Sequence, residues 1–353
     1  MKKFDFNLEI KKSGCYFIAE IGVNHENSLD LAEKIIKQAK KGGANAVKFQ
    51  SYKADKIASK DSPYYWDLNK VNIKSQYKLF KKYDKFNEDH YIKIKKICDF
   101  YKINFASTPF DLEAVKFLDK LVPFFKIASA DFNNTPLLNE IIKTKKPIVI
   151  STGACSQNEI DNFYKKICIS NKNLQIVLMH CILSYPTNYN DANLQFINIF
   201  KKKYKNFITG YSDHTMPDSS GMVLTKAYEL GATVIEKHFT LDTLKGKKNN
   251  DHFHSMNFKD LITFRENINI LKKITGKNQI RKILNTEKKS RKNARRSVFS
   301  LGFIEKGEKI TMQNTIAKRP GRGIPPDSYH KILNKKLKKN IKDDTLITHN
   351  LLA

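Results

Sequence analysis

Apolar positions along the chain gather in eight short runs, each closing on polar residues: 16–20 (YFIAE), 46–50 (AVKFQ), 103–108 (INFAST), 124–129 (FFKIAS), 147–152 (PIVIST), 174–181 (LQIVLMHC), 207–214 (FITGYSDH) and 233–238 (TVIEKH). Runs this short predict buried parallel strands. Between them the apolar period lengthens to that of a helix. In SLDLAEKIIKQAKKGG, Leu31, Ile35 and Ala39 share a face with Ala32 and Ile36. Asn27 or Ser28 can cap its start, acids come early and lysines late, and Gly42 and Gly43 stop it. Comparable patterns predict helices over 88–101, 112–121, 136–144, 157–169, 194–203, 219–230 and 258–274. Eight strand-then-helix units close into a (β/α)8 TIM barrel, in which reactive residues sit at the carboxyl ends of the strands.

Two stretches break the rhythm. Residues 51–87 are far longer than an ordinary strand-to-helix connection and carry the single tryptophan, Trp66; a long loop at the carboxyl face predicts a rim or lid. Residues 275–294 are polar and highly basic and read as a linker, after which 295–353 changes to short strand-like pieces and turns. The length agrees, since 353 residues exceed the roughly 250 of one barrel. The expected organisation is a barrel over 1–274, a linker over 275–294 and a small second domain over 295–353.

Composition changes this picture little. Hydrophobic residues make up 41% of the chain, enough for a core, yet no apolar stretch approaches the ~20 residues of a membrane helix. The first residues, MKKFDFNLEIKKSG, lack the continuous apolar core of a secretion signal, so a cytoplasmic location is expected. The five cysteines, Cys15, Cys98, Cys155, Cys168 and Cys181, are scattered and read as reduced thiols; Cys181 alone stands at a strand end, beside His180. A net charge of +29 is compatible with nucleic acid or an anionic membrane as partner. The lysines, however, are spread along nearly the whole chain, as a compositional bias would spread them, and neither partner is expected.

The strand ends carry the chemistry. His214 and His238 close adjacent runs, and two imidazoles so placed can hold one divalent metal with positions left open for substrate. Lys48 and Lys126 lie inside apolar runs and need partners. With the hydroxyls of Ser107, Thr108, Ser129, Ser151 and Thr152 they suit a phosphate; a salt bridge to Glu20 or Glu236 is the competing reading. Glu20 and Glu236 can act as acid or base or orient a metal-bound water. Asp251, His252 and His254 follow the eighth run and can reach over the mouth, or the two histidines can be plain loop residues. PGRGIPP in the small domain follows no strand-to-helix signal, so the sequence offers no P-loop or dinucleotide fingerprint, and no GxSxG elbow.

The ordered motifs AEIGVNHENS, AVKFQ, STPF, FKIAS, STG, HCxxxYPT, GYSDHT, EKHFT and KRPGxG resemble the sialic acid (N-acylneuraminate) synthase family of nonulosonate synthases over almost the whole chain. The resemblance identifies the tail as the family's antifreeze-like, or SAF, domain. It implies condensation of phosphoenolpyruvate with an N-acylated hexosamine such as N-acetylmannosamine, giving a nine-carbon 2-keto-3-deoxy sugar acid and phosphate. A divalent ion is implied, typically Mn2+, with Mg2+ or Co2+ as substitutes. Carried over position by position, it implies His214 and His238 as metal ligands, Lys48, Thr108, Lys126, Ser129 and Ser151 as phosphoenolpyruvate ligands, and Glu20 as the catalytic carboxylate. Gln50, Phe110, Asp131, Tyr185 and Asp251 would line the sugar pocket. Arg319 would reach the sugar in the partner's barrel of a domain-swapped homodimer.

Three departures bear on the acceptor. Ile182 and Leu183 stand where the sialic acid branch often carries Asn or Thr, Asp131 stands where some members carry Glu, and the segment with Trp66 lies where substrate enters. Di-N-acetylated trideoxyhexoses, precursors of legionaminic or pseudaminic acid, therefore join N-acetylmannosamine as acceptors. The rival readings are a phosphoenolpyruvate-dependent synthase acting on a sugar phosphate and a non-catalytic, basic nucleic-acid-binding barrel.

Overall fold

All eight apolar runs are strands of one parallel sheet: β1 (Tyr16–Gly22), β2 (Ala46–Ser51), β3 (Asn104–Pro109), β4 (Phe125–Ile127), β5 (Ile148–Ser151), β6 (Ile176–Cys181), β7 (Ile208–Asp213) and β8 (Val234–His238). The computed structural model describes residues 3–247, 250–276 and 280–353. The hydrogen-bonded order is β3-β2-β1-β8-β7-β6-β5-β4. The two end strands, β3 and β4, lie side by side and close the cylinder. β4 is shorter than its apolar run, because at Ser129 the chain turns into a 3-10 segment, Ser129–Asp131.

Side-chain alternation sorts each strand between two cores. Phe17, Ala19 and Ile21 of β1 point outward and pack with Ile35, Ile36 and Phe264 of the surrounding helices. Tyr16 and Ile18 point inward, where with Ala46, Ala106, Phe124, Val149, Val177 and Val234 they fill the lower barrel. Two residues further along the same inward row come Glu20, Lys48, Lys126, Ser151 and Glu236, and His238 follows two residues beyond Glu236. A polar layer thus rests on an apolar floor, as a strand period of two dictates.

The helices follow the predicted ranges within a few residues. Leu29–Lys41 is capped by Ser28, whose side chain accepts from the Leu31 N–H at 3.2 Å, rather than by Asn27. The helix expected from 219 begins only at Met222, after Gly221 in the left-handed region at φ 64°. The barrel floor carries a helix that had no counterpart in the sequence reading. Phe6–Ser13, capped by Asp5, closes the barrel floor with the Phe6 ring 5.1 Å from Tyr16 and 4.9 Å from Phe124.

The chain divides into two compact units, Met1–Thr275 and Gly276–Ala353. The second unit has its own apolar core around Val298, Ile310, Ile332 and Ile347, and an antiparallel pair, β9 (Ser297–Ser300) and β10 (Thr315–Lys318). Its helix Lys288–Ala294, placed in the linker by composition, is tied to this unit: the Gly321 N–H donates to the Lys292 carbonyl at 3.0 Å and Arg322 to Asn293 at 2.8 Å. Among the described residues no helix is long and apolar enough to cross a membrane.

Candidate active site

The polar layer holds two ammonium groups and two carboxylates, all buried. Lys48 Nζ lies 2.6 Å from Glu20 Oε2, donates to Thr108 Oγ1 at 3.0 Å and stands 3.9 Å from Glu236 Oε1. Lys126 donates to Glu236 Oε1 at 3.1 Å, and Ser212 Oγ donates to the same oxygen at 3.2 Å. The salt bridges weighed as the competing reading of the lysines are therefore present, and an incoming anion has to share the ammonium groups with them. The carboxylates are not equivalent. Burial pushes Glu20 up to about 7, with Lys48 opposing and Glu236 adding to the rise. Burial acts the same way on Glu236, but Lys126 and Lys48 outweigh it and hold Glu236 below its usual range. Glu236 is the permanent counter-ion, and Glu20 is poised to exchange a proton. Gln50 orients Glu20 by donating to its Oε1 at 2.9 Å.

Ser129 and Ser151 border this layer. Ser129 Oγ accepts from the Gly153 N–H at 2.9 Å; a Cβ on Gly153 would lie 2.8 Å from that oxygen and 3.1 Å from the Leu183 nitrogen, so only glycine fits. Ser151 Oγ and Glu236 Oε2 are buried without a hydrogen-bond partner among the described residues. Two lysines beside an unengaged hydroxyl form a donor set suited to a phosphate.

Above the lysines lies a histidine cluster. His238 closes β8, His214 directly follows β7, and their rings are 5.7 Å apart. His214 Nδ1 donates to the Ile182 carbonyl at 2.8 Å; burial opposes, but Cys181 and this carbonyl raise the imidazole above its usual range. Their spacing is set from behind, on the outer face of the sheet. The next-door residues Lys237 and Asp213 form a buried pair at 2.5 Å, and Lys237 also donates to the Thr215 carbonyl at 2.7 Å. The turn Asn250–His254 adds Asp251, whose Oδ2 is 3.4 Å from His238 Nδ1, and His254, whose ring is 4.6 Å from that of His238. Ligand atoms of His238, Asp251 and His254 lie within 4.8 Å of one another. His238 Nδ1 and His254 Nε2 are buried and have no hydrogen-bond partner among the described residues. Burial holds both imidazoles neutral, well below their usual range. Neutral rings with free nitrogens beside a carboxylate fit a divalent ion. His252 does not reach the mouth: its ring nitrogens engage Thr240 Oγ1 at 2.7 Å and Glu26 at 3.3 Å. Cys181 Sγ lies 3.8 Å from His214 Nδ1.

A cavity of about 170 Å3 opens over this cluster. Gln50, Tyr185, His238, Asp251 and His254 form its barrel side, with the Tyr185 ring 4.2 Å from that of His214. Tyr65, Trp66, Val71, Phe80 and Tyr83 of the 51–87 segment form its roof. The segment is an ordered cover with helices Ala54–Ile57 and Gln76–Tyr83, stapled by Trp66 Nε1 donating to the Val71 and Ile73 carbonyls at 3.1 Å each. Trp66→Ala is expected to raise the KM of the second substrate about tenfold while leaving that of the buried anion within twofold, by loss of one aromatic wall. Steady-state kinetics varying each substrate in turn measure this, and equal rises in both would contradict a roof over one substrate only.

The structure does not bring every expected residue to the cavity. Phe110 meets Tyr52, a cavity residue, edge-on at 5.9 Å. Asp131 is half-buried in the turn after β4, accepts from Asn134 at 3.0 Å and does not line the cavity. Arg319 belongs to the second unit.

Fold and site together define a (β/α)8 barrel enzyme with buried lysines beneath a histidine–carboxylate cluster, followed by a small β-rich domain. The chain belongs to the NeuB family, whose model matches residues 35–280, and carries a SAF domain matched over 295–353. It is 38% identical over 338 residues to an N,N'-diacetyllegionaminic acid synthase of Campylobacter jejuni, covering 94% of this chain and 98% of that one. The synthase of the same name from Legionella pneumophila is 34% identical over 339 residues, with 94% and 93% covered. Among solved structures, the N-acetylneuraminic acid (sialic acid) synthetase of Leptospira borgpetersenii in complex with citrate superposes with a TM-score of 0.66 at 30% identity, covering 78% of this chain and 90% of that one. Membership agrees with the resemblance read from the motifs.

Proposed function

We propose that this protein is a nonulosonate synthase that condenses phosphoenolpyruvate with an N-acylated hexosamine, and that its acceptor is a di-N-acetylated trideoxyhexose ahead of N-acetylmannosamine. The observation that carries the reaction is the pair of buried lysines, Lys48 and Lys126, in one barrel with the neutral His238 and His254. The choice of acceptor is supported by the two legionaminic acid synthases among its relatives and by the aromatic roof over the cavity.

In this reading Lys48 and Lys126 hold the phosphate, with Thr108, Ser129 and Ser151 around it, and keep C3 of the enol facing the cavity. His214 and His238 would hold a divalent ion, Mn2+ in the first instance with Mg2+ or Co2+ as substitutes, which supplies Lewis acidity toward the sugar's carbonyl oxygen. Tyr185, Gln50 and Asp251 position the open-chain sugar so that its aldehyde carbon meets C3. A C–C bond forms, the aldehyde oxygen takes a proton from solvent, and C2 is left electron-poor. Glu20 takes a proton from the water that adds to C2. The C2–O bond to phosphate then breaks, and the two lysines stabilise the departing phosphate. The five free cysteines and the soluble substrates accord with a cytoplasmic location.

The test is the product. Phosphoenolpyruvate bearing 18O at its bridging oxygen, incubated with Mn2+ and a di-N-acetylated trideoxyhexose, is expected to give one nine-carbon keto acid by mass spectrometry and phosphate that keeps the label. Unlabelled phosphate, or no condensed product with any N-acylated hexosamine, would overturn the reading.

We also place Arg319 in the sugar site of the partner subunit of a domain-swapped homodimer. Co-expressed Glu20→Gln and Arg319→Ala chains, each inactive alone, are then expected to recover about a quarter of wild-type activity, because half the dimers are mixed and each has one intact site. No recovery would place Arg319 in its own chain's site, and activity of Arg319→Ala alone would place it outside both.

A further inference from the structure

We propose that His254 is a third imidazole ligand of the site's divalent ion, so that the centre is His214, His238, His254 and Asp251 rather than a pair of histidines; this rests on the metal reading above. His254 lies on a turn, where no strand end marks it as a ligand. Its surroundings do. It is 4% exposed, yet its Nε2 has no hydrogen-bond partner among the described residues. Other buried histidines are engaged: His25 Nδ1 accepts from the Asn27 N–H, His180 Nε2 meets the Ala192 carbonyl, and His252 uses both nitrogens. Among the described residues, the fully buried ring nitrogens without a partner are those on His238 and His254, in one cluster. Buried polar atoms are ordinarily satisfied, and an exception calls for a ligand. Here the exceptions converge, since ligand atoms of His238, Asp251 and His254 lie within 4.8 Å of one another and the His214 ring is 6.4 Å from that of His254.

A third imidazole has a chemical consequence beyond affinity. Nitrogen ligands favour the later, borderline ions over the harder ones, so the site should discriminate for Co2+ or Zn2+ over Mn2+ and Mg2+ more strongly than two histidines would. His254→Ala should therefore lose more affinity for Co2+ than for Mn2+. The competing role, a hydrogen-bond donor to the sugar, predicts no change in either ion.

The experiment uses full-length protein stripped with chelator and titrated with Co2+ and Mn2+ by calorimetry, with the Co2+ visible absorption recorded, and no substrate present. His254→Ala and His254→Gln are compared with wild type and with His214→Ala, and thermal midpoints confirm folding. Co2+ affinity is expected to fall by more than about 100-fold in both His254 variants, since even groups that only orient a ligand are worth about 10- to 100-fold. Mn2+ affinity should fall less, and the Co2+ spectrum should lose intensity as water replaces the ring. Wild-type Co2+ affinity and spectrum in both variants, with binding lost in His214→Ala, would remove His254 from the centre and leave the two-histidine site standing. No Co2+ binding to wild type would overturn the metal reading itself, and the proposal with it.

Discussion

Lys126→Met is expected to raise the KM for phosphoenolpyruvate about 100-fold, with the acceptor's KM little changed. The substitution keeps the aliphatic stem in the barrel and removes one ammonium from the proposed phosphate site. Losing one partner of a buried, charged hydrogen bond costs about 2 to 5 kcal/mol, a range that contains this factor. One complication can be separated. Lys126 also neutralises Glu236 at 3.1 Å, so its loss leaves a buried carboxylate with only Lys48, 3.9 Å away. Adding Glu236→Gln removes that stranded charge. If Lys126 serves only as a counter-ion, the double variant recovers the wild-type KM; if it binds phosphate, the defect persists. A nucleic-acid-binding barrel would show no effect on phosphoenolpyruvate in either case.

Glu20→Gln is expected to lower kcat about 1,000-fold, within the range ascribed to a positioned acid–base group. Because burial already pushes Glu20 up to about 7, its neutral form is close to the ionised form in energy, and the amide is nearly isosteric with that neutral form. The fold should persist, as a thermal midpoint within a few degrees of wild type would show. The same raised value sets a pH dependence. A base must be deprotonated to act, and Glu20, pushed up to about 7, gives up its proton as pH rises through that value and not through its ordinary 4.5. In the wild type, kcat/KM should rise about tenfold per pH unit below that value and level off above it. A flat profile between pH 5 and 8, or near-normal turnover in Glu20→Gln, would remove Glu20 from the proton transfer.

Much of this site was legible because a strand writes its two faces alternately. In AVKFQ, Lys48 and Gln50 had to share the inward face with Ala46, and in TVIEKH the rows of Glu236 and Lys237 had to oppose one another; both hold. What the sequence did not show lies where no period operates. His252 and His254 are two residues apart on one short turn, and only the path of that turn sends the first to Thr240 and the second to the cavity. The helix Phe6–Ser13 is eight residues with three charged side chains, too short to carry a pattern of its own. It is set by Phe4 and Phe6 finding Tyr16 and Phe124 on the barrel floor. The basic run 288–294 reads as linker from composition, while its backbone bond to Gly321 arises only when the second unit folds. Asp131 sits on the 3-10 turn after β4, a bend no strand period marks, where it accepts from Asn134.

The central claim is that buried lysines and a histidine-held ion act on two substrates at once. The most direct measurement is the rate of phosphate release from phosphoenolpyruvate across N-acetylmannosamine, the two di-N-acetylated trideoxyhexoses and arabinose 5-phosphate, each with Mn2+ and with chelator. Release that requires an N-acylated hexosamine, is fastest with a di-N-acetylated one and stops with chelator is the predicted result. Release with arabinose 5-phosphate alone, or release that chelator leaves untouched, would contradict it.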